Sequence, residues 1–293
     1  MFKKFFSQKP ELKSTREIAL MRESGKIVAE ALQLCREKCK PGVKTIEINA
    51  AVEALFSRYG AIPLFKGYKG PKTKFPAVTC ISVNEQVVHG IPGQREIRDG
   101  DLVKIDTACK LNGWCADAAV SICVGTVRPE RRRLVDVGTL ALRTAIDELA
   151  KRRWWSEVAG RMQWVVQNAG FSVVEAYVGH GIGRVMHEDP QVPNYVGTDT
   201  KKFDFRIEPG LVLAVEPMVN MGKAETRTLN DNWTVVTKDG MPSVHMEHTL
   251  AITANGVEII TRDEVVMPTA TTTTAKANVD GGMANVEARM TKE

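Results

Sequence analysis

No apolar run in this 293-residue chain reaches the roughly 18–20 residues that a membrane-spanning helix needs. No membrane association is expected. The start, MFKKFFSQKPELK, is basic but lacks both the apolar core and the small-residue cleavage site of a secretory signal. The six cysteines, at 35, 39, 80, 109, 115 and 123, include no C-x-x-C pair, which excludes a structural zinc finger. Cys35 and Cys39 fall one helical turn apart, a poor geometry for a stabilising bridge. All six are expected as free thiols, mostly packed in a core, in a reducing cytoplasm. Charge of one sign is also in short supply, with a formal net charge of only +5. The basic clusters Arg128–Arg133 and Lys151–Arg153 read as solvated helix ends, not as a nucleic-acid surface. What remains, 43% hydrophobic and 26% charged, is the balance of an ordinary globular chain.

Within it, the segment DLVKIDTACKLNGWCADAAVSICVG holds two runs of β-branched and small apolar residues around Asn112-Gly113. An Asn-Gly pair in that setting predicts a hairpin, because a type I′ turn needs positive φ at both central residues. Counting outward, Leu111 then faces Trp114 and Asp106 faces Ala119. Asp117 shares a face with Asp106 as its diagonal neighbour, roughly 7–8 Å away. Carboxylates that close repel unless a cation lies between them or one is protonated. The hairpin is therefore a candidate metal site, and a one-residue slip would undo it.

The chain also repeats itself once, at an offset of 110 positions. EINAAVEALFSRYGA from Glu47 matches EVAGRMQWVVQNAGF from Glu157, and IRDGDLVKID from Ile97 matches IEPGLVLAVE from Ile207. The second match sets Asp106 against Glu216. A period this long indicates a duplicated unit in an α+β fold, each half being helices followed by antiparallel strands. Helices are predicted over Thr15–Cys39, Thr45–Tyr59, Glu130–Lys151 and Ser156–Asn168, and Trp154 and Trp155 beside the last are expected to pack. Strands are predicted over Ala77–Val83, Gln86–His89, the hairpin arms, Leu211–Asn220, Thr234–Thr237, Val244–Thr253 and Val257–Ile260. The Thr-, Ala- and Gly-rich tail, 267–293, is expected to be disordered.

Three further side chains invite chemistry. His180 lies between glycines in VGHGIGRVMHEDP, Glu216 ends the apolar run LVLAVEP, and Glu247 interrupts another strand in SVHMEHTLAI. Two Asp, two Glu and one His make an oxygen-rich donor set that suits a pair of divalent ions such as Mn, Fe, Co or Zn.

The ordered motifs CISVNEQVVHGIPG, KIDTACKLNGWCADAA, GHGIGRVMHEDP, AVEPMV and HMEHTLAIT resemble those of type I methionine aminopeptidases. The resemblance covers nearly all of residues 12–262 and implies the pita-bread fold, with pseudo-twofold halves around a dinuclear metal site. It places an N-terminal extension at 1–12 and a catalytic domain at 13–265, with halves at about 13–130 and 131–265. It implies removal of the initiator methionine from nascent chains whose second residue is small, by metal-activated hydroxide attack. Asp106 would chelate one ion, Asp117 and Glu247 would bridge both, and His180 and Glu216 would complete the second. Glu216 would also carry the proton. His187 would stabilise the oxyanion, and His89 would lie near the leaving nitrogen. The methionine pocket maps to Phe65, Tyr68, Phe75, Cys80, Met186 and Trp233. The partners implied are nascent N-termini, with room for transient ribosome contact through the basic start, no specific nucleic acid, and a monomeric enzyme.

This chain departs from the pattern at His245, where members usually carry Gln and which is expected to share a strand face with Glu247, and at Phe65 and Met186. The segment Lys69–Lys74 reads as an insertion beside the pocket. A proline-directed aminopeptidase or prolidase shares the five-ligand logic but usually carries a large extra N-terminal domain. A non-catalytic interaction protein on the same scaffold would be marked by lost ligands, and all five are present.

Overall fold

The computed structural model describes residues 10–70, 72–198 and 204–262. These belong to one unit, Met1–Asp263, while the tail falls in a second unit, Glu264–Glu293, outside the described residues. Residues 1–9 of the N-terminal extension also lie outside them.

Helix α1 (Thr15–Lys38) starts where Ser14 caps Glu17 N–H and Glu17 returns the bond to Ser14 N–H. It buries Ile18, Met21, Val28, Leu32 and Cys35, a three-to-four-residue stripe of the kind that commits one helix face to a core. Helix α2 (Thr45–Tyr59) follows, then the short strand β1 (Ile62–Pro63), β2 (Thr79–Val83) and β3 (Gln86–Val88). The hairpin is β4 (Leu102–Leu111) and β5 (Trp114–Cys123), with φ of 49° at Asn112 and 85° at Gly113. Its register is the predicted one: Leu111 opposes Trp114 and Asp106 opposes Ala119. Alternation sends Val103, Ile105 and Cys109 of β4, with Ala116, Ala118 and Val120 of β5, into the core beneath α1 and α2. Asp106, Ala108, Asp117 and Ala119 are left on the other face.

The second half opens with α3 (Pro129–Leu149) and α4 (Trp155–Asn168). Nine short strands and one longer strand complete it: β6 (Ser172–Val173), β7 (Gly179–Gly181), β8 (Glu188–Val192), β9 (Val212–Val215), β10 (Met218–Asn220), β11 (Thr226–Thr228), β12 (Val235–Thr237), β13 (Ser243–His245), β14 (Glu247–Thr253) and β15 (Gly256–Ile259). The main sheet runs β1-β4-β5-β14-β9-β7-β8, with β2 on β4 and β15 on β14, and two three-stranded sheets, β13-β10-β6 and β11-β12-β3, stand beside it.

The repeat seen in the sequence returns in the hydrogen bonds. Thr45 N–H donates to Arg95 O at 3.0 Å, and 110 positions on Trp155 N–H donates to Phe205 O at 3.0 Å. Ile97 N–H to Val43 O at 2.9 Å is matched by Ile207 N–H to Arg153 O at 2.8 Å. Even the helix starts agree, since Glu47 accepts from Lys44 N–H and Glu157 accepts from Trp154 N–H.

Four expectations need correcting. The strands predicted over Leu211–Asn220 and Val244–Thr253 are each broken. Pro217 has no N–H for a ladder, and its carbonyl instead accepts from Met246 N–H at 3.2 Å. Both chains therefore change sheets there: β9 and β14 pair in the main sheet, β10 and β13 in the small one. Strands β1, β6, β7, β8 and β11 were not foreseen, because runs of two to five residues carry too little periodicity. Trp155 is buried and stacked on Phe205 at 5.7 Å, but its neighbour Trp154 is exposed rather than packed. Finally, Arg131 is no solvated helix end; its guanidinium donates to Asn84 Oδ1 at 2.7 Å and Gly100 O at 2.8 Å.

Candidate metal centre and adjoining pocket

One candidate ligand comes from each of five strands standing side by side, or from the residue directly after one. In the order β4-β5-β14-β9-β7 these are Asp106, Asp117, Glu247, Glu216 and His180. Ala119 opposes both Asp106 and Glu247, so a small side chain sits between the two carboxylates in the row. Glu216 follows the last residue of β9, one step beyond the pair Val215–His248. Asp117, His180 and Glu247 each bring a ligand atom within 4.8 Å of the others. Glu216 joins them through an Oε1 that lies 3.7 Å from His180 Nε2.

His180 is held in the tautomer that metal binding needs. Its Nδ1 lies 2.9 Å from Gly181 O, and a carbonyl can only accept, so Nδ1 carries the proton and Nε2 keeps its lone pair. The glycines around it serve the backbone. A Cβ on Gly181 would meet Asp189 O at 2.2 Å and one on Gly179 would meet Ala214 O at 2.3 Å. Asp117 is fixed through its main chain, whose N–H donates to Thr249 Oγ1 at 3.0 Å while that hydroxyl donates back to Asp117 O at 2.8 Å.

The electrostatics ask for a cation. Burial, then repulsion from Asp117 and Glu216, pushes the Asp106 carboxyl well above the usual range. Burial pushes Asp117 up to about 7. Burial, followed by repulsion from its neighbours, raises Glu216 and Glu247 as well. Asp106 Oδ1, Asp117 Oδ1 and Glu247 Oε1 are buried with no hydrogen-bond partner, a state costing a few kcal/mol per group unless a cation takes its place. Burial also lowers His180 to about 3 and His89 to about 4, leaving neutral imidazoles. The donor set therefore fits divalent metal.

Beside the carboxylates lies an apolar cluster of buried side chains, Phe65, Phe75, Ala77, Cys80, Ala108 and Met186, with Trp233 packed against it. Phe75 meets Trp233 edge to face at 5.1 Å and Phe65 at 6.4 Å. Cys80 directly opposes Asp106 across β2 and β4, so the apolar cluster and the carboxylates share one face of the sheet. Tyr68 reaches the rim, with its hydroxyl 2.8 Å from His187 Nδ1, and the His187 ring lies 4.3 Å from that of His180. His89 follows β3 with φ of 59°, a left-handed conformation uncommon for non-glycine residues, and its ring meets Tyr177 at 5.6 Å and Trp233 at 6.4 Å. The thirteen residues singled out in the sequence thus converge. The Lys69–Lys74 segment forms a small antiparallel bridge whose Thr73 accepts from Trp233 Nε1 at 2.8 Å.

Several supporting residues carried no sequence signal. Glu188 accepts from Arg184 N–H at 2.7 Å and Val185 N–H at 3.2 Å and pairs with the buried Lys13 at 2.5 Å, which fixes the loop bearing Met186 and His187. Asn194 donates to Glu216 O at 3.1 Å. His245 was foreseen as sharing a strand face with Glu247. The two lie in different sheets, yet its Nε2 is 3.4 Å from Glu216 Oε2 and 3.8 Å from Glu247 Oε2.

Comparison with known proteins places the site in context. The sequence pattern of metallopeptidase family M24 matches residues 19–254. Methionine aminopeptidase 1 of Bacillus subtilis is 45% identical over 250 residues, 85% of this chain and 98% of that protein. A methionine aminopeptidase of Clostridium perfringens is 45% identical over 252 residues, with the same coverage. The crystal structure of methionine aminopeptidase from Thermotoga maritima, 37% identical, superposes with a TM-score of 0.80 over 87% of this chain and all of that one. A prolidase from Pyrococcus horikoshii, 22% identical, shares the fold with a TM-score of 0.69 over 86% of this chain and 64% of its own.

Proposed function

The chain belongs to metallopeptidase family M24, and we propose that it is a methionine aminopeptidase releasing the initiator methionine from nascent proteins whose second residue is small. The observation that carries this reading is the register of Cys80 against Asp106, which sets an apolar cluster suited to a thioether beside the carboxylates. Asp106, Asp117, His180, Glu216 and Glu247 would hold two divalent ions, of Co, Mn, Fe or Zn. When bound, the metal supplies an acidic water and positive charge at the scissile carbonyl.

The chain's own residues do the rest. Glu216, at the end of β9, takes the proton of the attacking water and returns it to the departing amine. When the Tyr68 hydroxyl donates to His187 Nδ1, His187 Nε2 carries a proton and donates to the developing oxyanion, an effect worth roughly 3–4 kcal/mol for such a donor. His89, held between Tyr177 and Trp233, faces the leaving nitrogen. The apolar cluster seats the methionine side chain and excludes water around the bond that breaks. The substrates are N-termini of new chains, met in the cytoplasm by a monomer. Among the described residues no helix is long and apolar enough to cross a membrane.

Hydrolysis of Met-Ala-Ser and Xaa-Pro peptides by metal-reconstituted protein tests this. Release of methionine from Met-Ala-Ser alone is the expected result. Preference for Xaa-Pro would move the chain to the proline-directed branch, whose fold it shares, and turnover of neither would leave a binding protein on an enzyme scaffold.

A further inference from the structure

His245 Nε2 is buried, with the residue only 2% exposed, and has no hydrogen-bond partner. It shares that condition with Asp106 Oδ1, Asp117 Oδ1 and Glu247 Oε1 of the candidate ligand set. Two carboxylate oxygens lie close to it, Glu216 Oε2 at 3.4 Å and Glu247 Oε2 at 3.8 Å. These contacts are too long for a good charge-assisted hydrogen bond. They are close to the spacing of two donors on one ion, since bonds of about 2.0–2.2 Å set neighbouring ligand atoms about 3.0–3.5 Å apart. His180 Nε2 lies 3.7 Å from the other oxygen of the same carboxylate, Glu216 Oε1, so the two imidazoles flank Glu216. The ring is also built in. His245 N–H donates to Ser121 Oγ at 2.9 Å while the Ser121 hydroxyl donates to His245 O at 2.8 Å, which pins the end of β13 against β5.

We propose that His245 is a sixth metal ligand, its Nε2 joining His180, Glu216 and Glu247 on one ion. This rests on the metallopeptidase reading and deepens it, because an ion with two imidazole donors is biased toward Co and Zn relative to Mn.

The full chain, stripped with chelator and reloaded with Co(II) alone, reports the ligand count. Each coordinated imidazole gives one hyperfine-shifted, solvent-exchangeable N–H proton resonance. Two are expected in the wild type, one in His245→Gln and one in His180→Gln. Zinc X-ray absorption of the same proteins should fall from two imidazoles to one. Co(II) affinity should drop roughly 10–100-fold in His245→Gln, with a smaller loss for Mn(II). A single resonance in the wild type, or an unchanged count in His245→Gln, overturns the proposal. Loss of a resonance in His187→Ala would assign the second imidazole to His187 and overturn it too. If His245→Gln fails to fold, the wild-type and His187→Ala counts still decide. The peptidase reading fails separately, by absence of Met-Ala-Ser cleavage in wild-type protein that shows both resonances.

Discussion

Asp117 stands between Asp106 and Glu247 in the crowded row, and its removal should act on metal and catalysis together. Asp117→Ala is expected to lose bound metal, measured by atomic absorption, and roughly 10³-fold or more in kcat/KM. His187→Ala should keep its metal and lose about 10²–10³-fold in kcat, because it deletes one donor to the oxyanion. Normal turnover by metal-loaded Asp117→Ala would contradict the bridging role. Glu188 acts at one remove. With its two backbone donors unpartnered and Lys13 left on the Glu11 carbonyl without a counter-charge from Glu188, Glu188→Ala should retain metal, lose about tenfold or more in kcat, and melt at a lower temperature. Asp106, Asp117, His180, Glu216 and Glu247 were legible as chemistry because carboxylates ending or interrupting apolar strands are costly to bury without a reason. Glu188 was not, since an acidic residue beside Asp189 and Pro190 in the sequence has an ordinary solvated explanation.

At the level of single elements, the hairpin and the His180 strand give contrasting predictions. Gly113 has φ of 85°, and a Cβ there would touch nothing within 4 Å. Gly113→Ala should therefore cost only the backbone term, about 1–2 kcal/mol in a denaturant titration, with metal affinity unchanged. Gly181→Ala drives a Cβ into Asp189 O and must displace β7 or β8, so it should weaken metal binding without touching a ligand. Equal effects of the two substitutions in calorimetric metal titrations would show that strand approach does not control His180. The hairpin was readable because Asn112-Gly113 fixes a turn and the turn fixes parity. The break at Glu216-Pro217 was readable only in part. Proline announces the end of a ladder, but the second sheet that receives the chain is not encoded nearby.

For the molecule as a whole, thiol chemistry offers a test of how completely the two halves close over their cores. Among the described residues all six cysteines are free, and only Cys123 is not fully buried. Burial pushes Cys39, Cys109 and Cys115 up to about 12 and Cys35 and Cys80 higher than usual. A raised thiol pKa means that the reactive thiolate appears only at correspondingly higher pH. Burial raises the Cys123 thiol too, but its partial exposure admits reagent, so alkylation at pH 8–9 should be confined to Cys123 in the native protein and reach six thiols in denaturant, as read by mass spectrometry. Rapid native labelling of Cys35 or Cys109 would show that the cores open readily.

The sequence alone determined what is local or periodic. It set the helix starts at Thr15 and Thr45, the parity that puts Asp106 and Asp117 on one face, the duplication at 110 positions, and the residue types that ask for a cation. Only the tertiary structure decided which strands stand side by side, and hence that Glu247 lies across Ala119 from Asp106 and that His245 turns inward from another sheet. The reason is physical. Parity and capping are settled within a few residues by backbone geometry, whereas strand order is a choice among many long-range pairings that only packing of the whole core resolves.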